Sequence, residues 1–119
     1  DNCIFNNNTS RSCGVIYLDE YGQGKVLNSI FANNTSQRSS GTLILDTCPY
    51  SLVKNCTFIN NTGVKGAAIC IKIFVENSTS NAQIVDCKFI NNTASTYGGA
   101  IYSVGGITSV KNCYFLCLI

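Results

Sequence analysis

Asp86-Cys87-Lys88-Phe89-Ile90-Asn91-Asn92-Thr93, followed by Gly98-Gly99-Ala100-Ile101-Tyr102, is the stretch from which the rest of the chain can be read. The unit recurs. Earlier copies are Asn2-Cys3-Ile4-Phe5-Asn6-Asn7-Asn8-Thr9, Asn28-Ser29-Ile30-Phe31-Ala32-Asn33-Asn34-Thr35 and Asn55-Cys56-Thr57-Phe58-Ile59-Asn60-Asn61-Thr62, and a partial copy begins at Asn112-Cys113-Tyr114-Phe115. The five phenylalanines are 26, 27, 31 and 26 residues apart. A recurring period of this size signals a solenoid, in which each repeat buries its apolar face only against its neighbours. The coils therefore start near Asn2, Asn28, Asn55 and Asp86, with a partial coil from Asn112, and 1–119 reads as one segment of such an array.

Within each period the apolar runs are short and β-branched, with no helical spacing. Cys13-Gly14-Val15-Ile16-Tyr17-Leu18, Gly41-Thr42-Leu43-Ile44-Leu45, Gly66-Ala67-Ala68-Ile69-Cys70-Ile71 and Gly98-Gly99-Ala100-Ile101-Tyr102 read as strands. Thr9-Ser10-Arg11-Ser12, Thr35 to Ser40 and Gly63-Val64-Lys65 read as polar turns, and Glu76 to Asn81 as the loop holding the extra residues of the longest coil. Three strands and three turns fill such a period, which predicts three-sided coils stacked about 4.8 Å apart by parallel pairing.

Stacking turns the repeats into columns of like residues. Phe5, Phe31, Phe58, Phe89 and Phe115 are expected to fill the interior. Cys3, Ser29, Cys56, Cys87 and Cys113 lie on the same strand face, and Val26, Val53, Ile84 and Val110 form an aliphatic column. Asn2, Asn28, Asn55, Asp86 and Asn112 suit a tight turn. Asn8, Asn34, Asn61 and Asn92 form a ladder whose amides bond to those above and below.

Phe-x-x-Asn in four coils, with Gly-Gly-Ala-Ile at 98–101 and Gly-Ala-Ala-Ile at 66–69, resembles the repeats of the polymorphic outer-membrane protein family, and is similar to adhesin-like proteins of the pectate-lyase-like superfamily. The resemblance implies an all-β, right-handed parallel β-helix displayed outside the cell in a structural or adhesive role. Coils one and two depart from the glycine motif with Cys13-Gly14-Val15-Ile16 and Ser40-Gly41-Thr42-Leu43.

Composition narrows the function. Charged residues are 12% and hydrophobic residues 45%, so a core is affordable, and the eight Lys and Arg are scattered singly, which argues against nucleic acid as a partner. The longest apolar stretch, Ala67 to Val75, is too short to cross a bilayer. No basic-then-apolar leader opens the chain, and it has no Met, so the segment is expected to be part of a longer or processed protein. With no His and no Cys-x-x-Cys, a zinc site is not expected, and no cofactor is. The acids are Asp1, Asp19, Glu20, Asp46, Glu76 and Asp86. Asp19, Asp46 and Glu76 fall at similar coil depth, where a weak Ca²⁺ site competes with the plainer reading of solvated turn residues; neither makes an enzyme.

Eight cysteines leave two states open. Cys56–Cys87 or Cys87–Cys113 are close enough to bridge, or the column is a ladder of reduced thiols packing as small hydrophobes. Cys13, Cys48, Cys70 and Cys117 lie off the column and are the better candidates for bridges. Glycan acceptors by sequence pattern include Asn7, Asn33, Asn55, Asn60, Asn77 and Asn91, with Asn77 first because it sits in the long loop. Partners follow from the ends and the surface. Open coil ends predict stacking on neighbouring coils of a longer chain, or head-to-tail self-assembly into an extracellular filament; the lateral surface predicts a host-surface or glycan receptor. A polysaccharide lyase or hydrolase is a third and weaker reading, for want of clustered carboxylates.

Overall fold

The computed structural model describes residues 1–19, 23–38, 40–73 and 81–117. It contains strands only, and all of their pairings are parallel. The first coil is built from β1 (Ile4–Asn6), β2 (Thr9–Ser10), β3 (Ile16–Asp19) and β4 (Lys25–Leu27). The second has β5 (Ile30–Ala32), β6 (Thr35–Ser36), β7 (Leu43–Asp46) and β8 (Leu52–Lys54). The third has β9 (Thr57–Ile59), β10 (Thr62–Lys65), β11 (Ile69–Lys72) and β12 (Asn81–Val85). The fourth has β13 (Lys88–Ile90), β14 (Thr93–Tyr97), β15 (Ile101–Val104) and β16 (Ile107–Lys111), and β17 (Tyr114–Leu116) opens the next. Equivalent strands pair coil on coil into four parallel sheets, giving a β-solenoid.

Each coil therefore has four strands, where three were expected. The additional sheet is made of the segments read as polar turns: Thr9–Ser10, Thr35–Ser36 and Gly63-Val64-Lys65 within β10 all lie in it. Its threonines stand in register, Thr9 on Thr35, Thr35 on Thr62 and Thr62 on Thr93. Composition marks Thr and Ser as turn residues, but a β-branched residue repeated in every coil is paired by the coils above and below whatever its polarity.

Asparagine makes the sharp corners. Asn2, Asn28, Asn55, Asp86 and Asn112 have φ of 57, 52, 54, 54 and 52°, the left-handed region that Asn and Asp tolerate best among residues with a side chain. A second set, Asn7, Asn33, Asn60 and Asn91, has φ of 58, 55, 55 and 53°, so the residue before each ladder asparagine is itself a corner. The corner amides chain together on the outside: Asn55 Nδ2 donates to Asn28 Oδ1 at 2.8 Å, and Asn91 Nδ2 to Asn60 Oδ1 at 3.0 Å.

The interior is columnar. Phe5, Phe31, Phe58, Phe89 and Phe115 stack with ring centroids 4.9, 4.6, 5.2 and 4.8 Å apart and planes within 11° of parallel. Phe31 and Phe58 are wholly buried, and Val53, Ile84, Leu43, Ile69, Leu45 and Ile71 line the rest of the core.

Alongside runs a buried amide ladder. Asn61 Nδ2 donates to Asn92 Oδ1 at 2.9 Å and to the Phe31 carbonyl at 2.9 Å, while Asn61 Oδ1 accepts from the backbone N–H and the Nδ2 of Asn34, both at 3.0 Å. Asn34 Nδ2 reaches the Phe5 carbonyl at 3.0 Å, and Asn92 Nδ2 the Phe58 carbonyl at 2.9 Å. Phe-x-x-Asn is thus a joint between coils, in which each asparagine holds the phenylalanine carbonyl of the coil before it. Asn61→Leu keeps the volume but orphans the Phe31 carbonyl and two Asn34 donors, and is expected to cost at least about 3 kcal/mol in urea unfolding. Its neighbour Asn60→Gly retains the left-handed corner and should stay within about 1 kcal/mol of the parent.

Candidate functional site

Among the expected chemical groups, the carboxylates do not converge. Asp19 and Asp46 are register partners at the ends of β3 and β7, but Lys72 takes the same position in the next coil and Val104 the one after. Asp46 is engaged by neighbours: Tyr17 donates its hydroxyl to Oδ2 at 2.7 Å, and Thr47 donates to Oδ1 at 3.2 Å. The hydrogen bond to this carboxylate, ahead of burial, holds the Tyr17 phenol well above its ordinary pKa. No group of three or more metal-ligating side chains forms among the described residues. Glu76, the third acid of the expected weak Ca²⁺ site, lies outside the described residues, as does Glu20.

No disulfide forms among the described cysteines. Down the column every side chain makes the same local bond, to the carbonyl two residues back: Cys3 to Asp1 at 3.2 Å, Ser29 to Leu27 at 2.7 Å, Cys56 to Lys54 at 3.3 Å, Cys87 to Val85 at 3.2 Å and Cys113 to Lys111 at 3.3 Å. Ser29 shows that a hydroxyl meets the same need. A side-chain hydrogen bond with the Cys56 thiol, and then burial, push the Cys87 thiol well above its ordinary pKa; burial does the same at Cys70. Cys56→Ser is accordingly expected to cost no more than about 1.5 kcal/mol, and the unfolding midpoint of the parent should be the same with and without a reductant. A drop on reduction would reveal a bridge.

The sequons divide by position. Asn7, Asn33, Asn55 and Asn60 are exposed corners and Asn91 is half-buried, whereas Asn34 and Asn61 are fully enclosed and barred from carrying a glycan. Asn77 lies outside the described residues.

The structure assembles one site that sequence reading missed. A surface groove of about 440 Å³ is lined by Arg38, Ser40, Val64, Lys65, Lys72, Tyr102 and Val104. Arg38 and Ser40 come from the corner between β6 and β7, Val64 and Lys65 from β10, Lys72 from the end of β11, and Tyr102 and Val104 from β15. Three of the eight cations of the chain meet here, and no acid is among the described lining residues. Lys65 Nζ sits 5.6 Å from the Tyr102 ring centroid and 5.8 Å from that of Tyr97, and the two rings lie 6.2 Å apart at 23°. The pairing that makes this possible is Lys65 on Tyr97. Along the chain these cations look isolated, and the winding of the coils brings them to one groove.

The glycine corner of the third coil lies beside the groove, against Tyr102. Gly66 and Gly98, the first residues of Gly66-Ala67-Ala68-Ile69 and Gly98-Gly99-Ala100-Ile101, both have φ of 61°. A Cβ on Gly66 would lie 2.2 Å from the Ile69 carbonyl oxygen, 2.7 Å from the Tyr102 nitrogen and 2.9 Å from the Tyr102 Cβ. In these two coils the corner is three residues long (66–68 and 98–100), against 11–15 and 37–42 in coils one and two. Gly66→Ala is expected to destabilise by about 2 kcal/mol or more in thermal or chemical unfolding, because both its backbone angle and its contacts with backbone atoms oppose a side chain.

Comparison with known families gives the same two coils. Residues 55–72 and 86–104 match the Chlamydia polymorphic membrane protein repeat. These two segments are similar to polymorphic membrane protein repeats. Both matches run from the asparagine or aspartate corner, through Phe-x-x-Asn, to the strand after the glycine corner, and so cover the sharp corners and ladder asparagines of these two coils. The two matches and the β-solenoid together fit a β-helical segment of a surface or outer-membrane protein, the location that the repeat family implies. No curated protein and no solved structure matches the chain.

Proposed function

We propose that this chain is a non-catalytic, adhesive segment of a surface protein, in which the solenoid serves as a rigid rod and its lateral face makes the contacts. The observation that supports this reading most directly is the pair of polymorphic membrane protein repeats lying on coils whose inward positions are occupied by Phe, aliphatic and amide columns. With the interior given over to packing, recognition falls to outward side chains at the corners and on the sheet faces. A scaffold that satisfies its polar groups internally can vary those outward residues at little cost. Catalysis is not part of this reading: of the described acids, Asp19 and Asp46 are register partners, Asp46 accepts from Tyr17, and Lys72 takes the next position in the column.

The direct test is attachment. Beads coated with the chain are expected to adhere to cell monolayers above the level of beads coated with an unrelated β-solenoid, and soluble chain should compete. Incubation with pectin-like polymers and Ca²⁺ should release no new reducing ends or unsaturated products. Failure to attach, or polymer cleavage, would overturn the reading.

A further inference from the structure

We infer that the groove between the second, third and fourth coils binds an anionic glycan, with Arg38, Lys65 and Lys72 taking its sulfate or carboxylate groups and Tyr102 packing against a sugar ring. This names the ligand class for the adhesive reading above and rests on it.

Four observations converge. The first is charge: the groove gathers three cations with no described acid among its lining residues, in a chain whose net charge is only +2. The nearest carboxylate in the same column is Asp46, the register partner of Lys72, and its two oxygens already accept from Tyr17 and Thr47. The second is chemical variety. Arg38 offers a planar fork of donors suited to two oxygens of one anion, while the two lysines offer compact, rotatable charges.

The third is preorganisation. Lys65 and Lys72 are half-buried, their stems held by β10 and β11, and Lys65 is flanked by two tyrosine rings that fix its position without neutralising it. A cation held in place loses less freedom when an anion arrives than one on a free surface arm. The fourth is shape. The site is concave and about 440 Å³, within the range of small-ligand sites, and its walls alternate charge with apolar surface from Val64, Val104 and Tyr102. That mixture suits a sugar, whose rings carry an apolar face and whose substituents carry the charge. A lipid surface would ask for a protruding apolar patch, and a nucleic acid for a longer basic track than three cations in one hollow.

The groove also explains a difference between coils. Arg38 and Ser40 reach it from a corner of six residues (37–42), whereas the third and fourth coils have corners of three. The longer second-coil corner thus contributes Arg38 and Ser40 to the lining.

The experiment uses the whole chain and a defined sulfated hexasaccharide, a carboxylated hexasaccharide of equal charge, and the matching uncharged hexasaccharide, with binding read by calorimetry at low and physiological salt. The expected result is binding of one or both charged sugars, weakening as salt rises, with no binding of the uncharged one. Lys65→Gln with Lys72→Gln should weaken binding by about tenfold or more. Tyr102→Ala should weaken it and Tyr102→Phe should not. Arg11→Gln and Lys88→Gln, exposed cations outside the groove, should leave it unchanged. Thermal unfolding of each variant separates loss of the site from loss of the fold, and Tyr102→Phe serves where Tyr102→Ala does not fold. Absence of charged-sugar binding overturns the proposal, as does equal binding of the uncharged sugar or an equal loss in the control variants. Bead attachment that survives the Lys65 and Lys72 changes would sink the groove as the adhesive site while leaving adhesion itself standing; sugar binding without attachment would do the reverse.

Discussion

A buried side-chain amide that uses both of its hydrogens and its oxygen is the constraint on which this architecture depends. Sharp corners leave backbone carbonyls pointing inward, and an inward carbonyl without a partner is costly. The asparagine three residues after each phenylalanine resolves this by bonding the carbonyl of the previous coil and the amide of the next. Because each amide is both donor and acceptor, the ladder works only if every rung is the same residue at the same height. That requirement sets the period, and the period sets everything that stacks: phenylalanine on phenylalanine, thiol or hydroxyl on thiol, threonine on threonine.

Much of this could be read from residue order alone, because a solenoid writes its three-dimensional neighbours into the sequence as a repeat. The Phe spacing yields the register directly: Phe5 on Phe31, Phe31 on Phe58, Phe58 on Phe89 and Phe89 on Phe115 are all true strand pairs. What escaped was the number of strands per coil. Thr9-Ser10 and Thr35-Ser36 are two residues each, and a segment that short carries no alternation by which a strand can be told from a turn. The second left-handed corner, at Asn7, Asn33, Asn60 and Asn91, was hidden for a related reason. Two consecutive asparagines were present, and composition cannot assign one to the corner and the other to the interior.

The groove was less legible than the fold. Charge read along the chain shows single lysines and arginines separated by apolar runs, the pattern of a solvated surface. The coils bring Arg38 and Lys65 to one groove, with Lys72 seven residues beyond Lys65 along the chain. Even with the period known, the placement of Tyr97 and Tyr102 around Lys65 depends on an irregular register between Gly63 and Lys65, where β10 pairs β14. A bulge of that kind has no sequence signature as strong as the repeat itself.

The corners fall into two kinds. Those made by asparagine, or by Asp86 in one case, are two residues long wherever they occur, between β1 and β2, β5 and β6, β9 and β10, β13 and β14, and again between β4 and β5, β8 and β9, β12 and β13, β16 and β17. The other two corners of the coil change length freely: the one leading into β4, β8, β12 and β16 spans 20–24, 47–51, 73–80 and 105–106. Yet β12 remains paired with both β8 and β16 after the longest of these. The rod thus has a conservative spine and an editable flank. Insertions and deletions on the flank leave the ladder undisturbed, so a lineage of such coils can trade one set of surface loops for another by small steps, changing what it presents without having to rediscover how to fold.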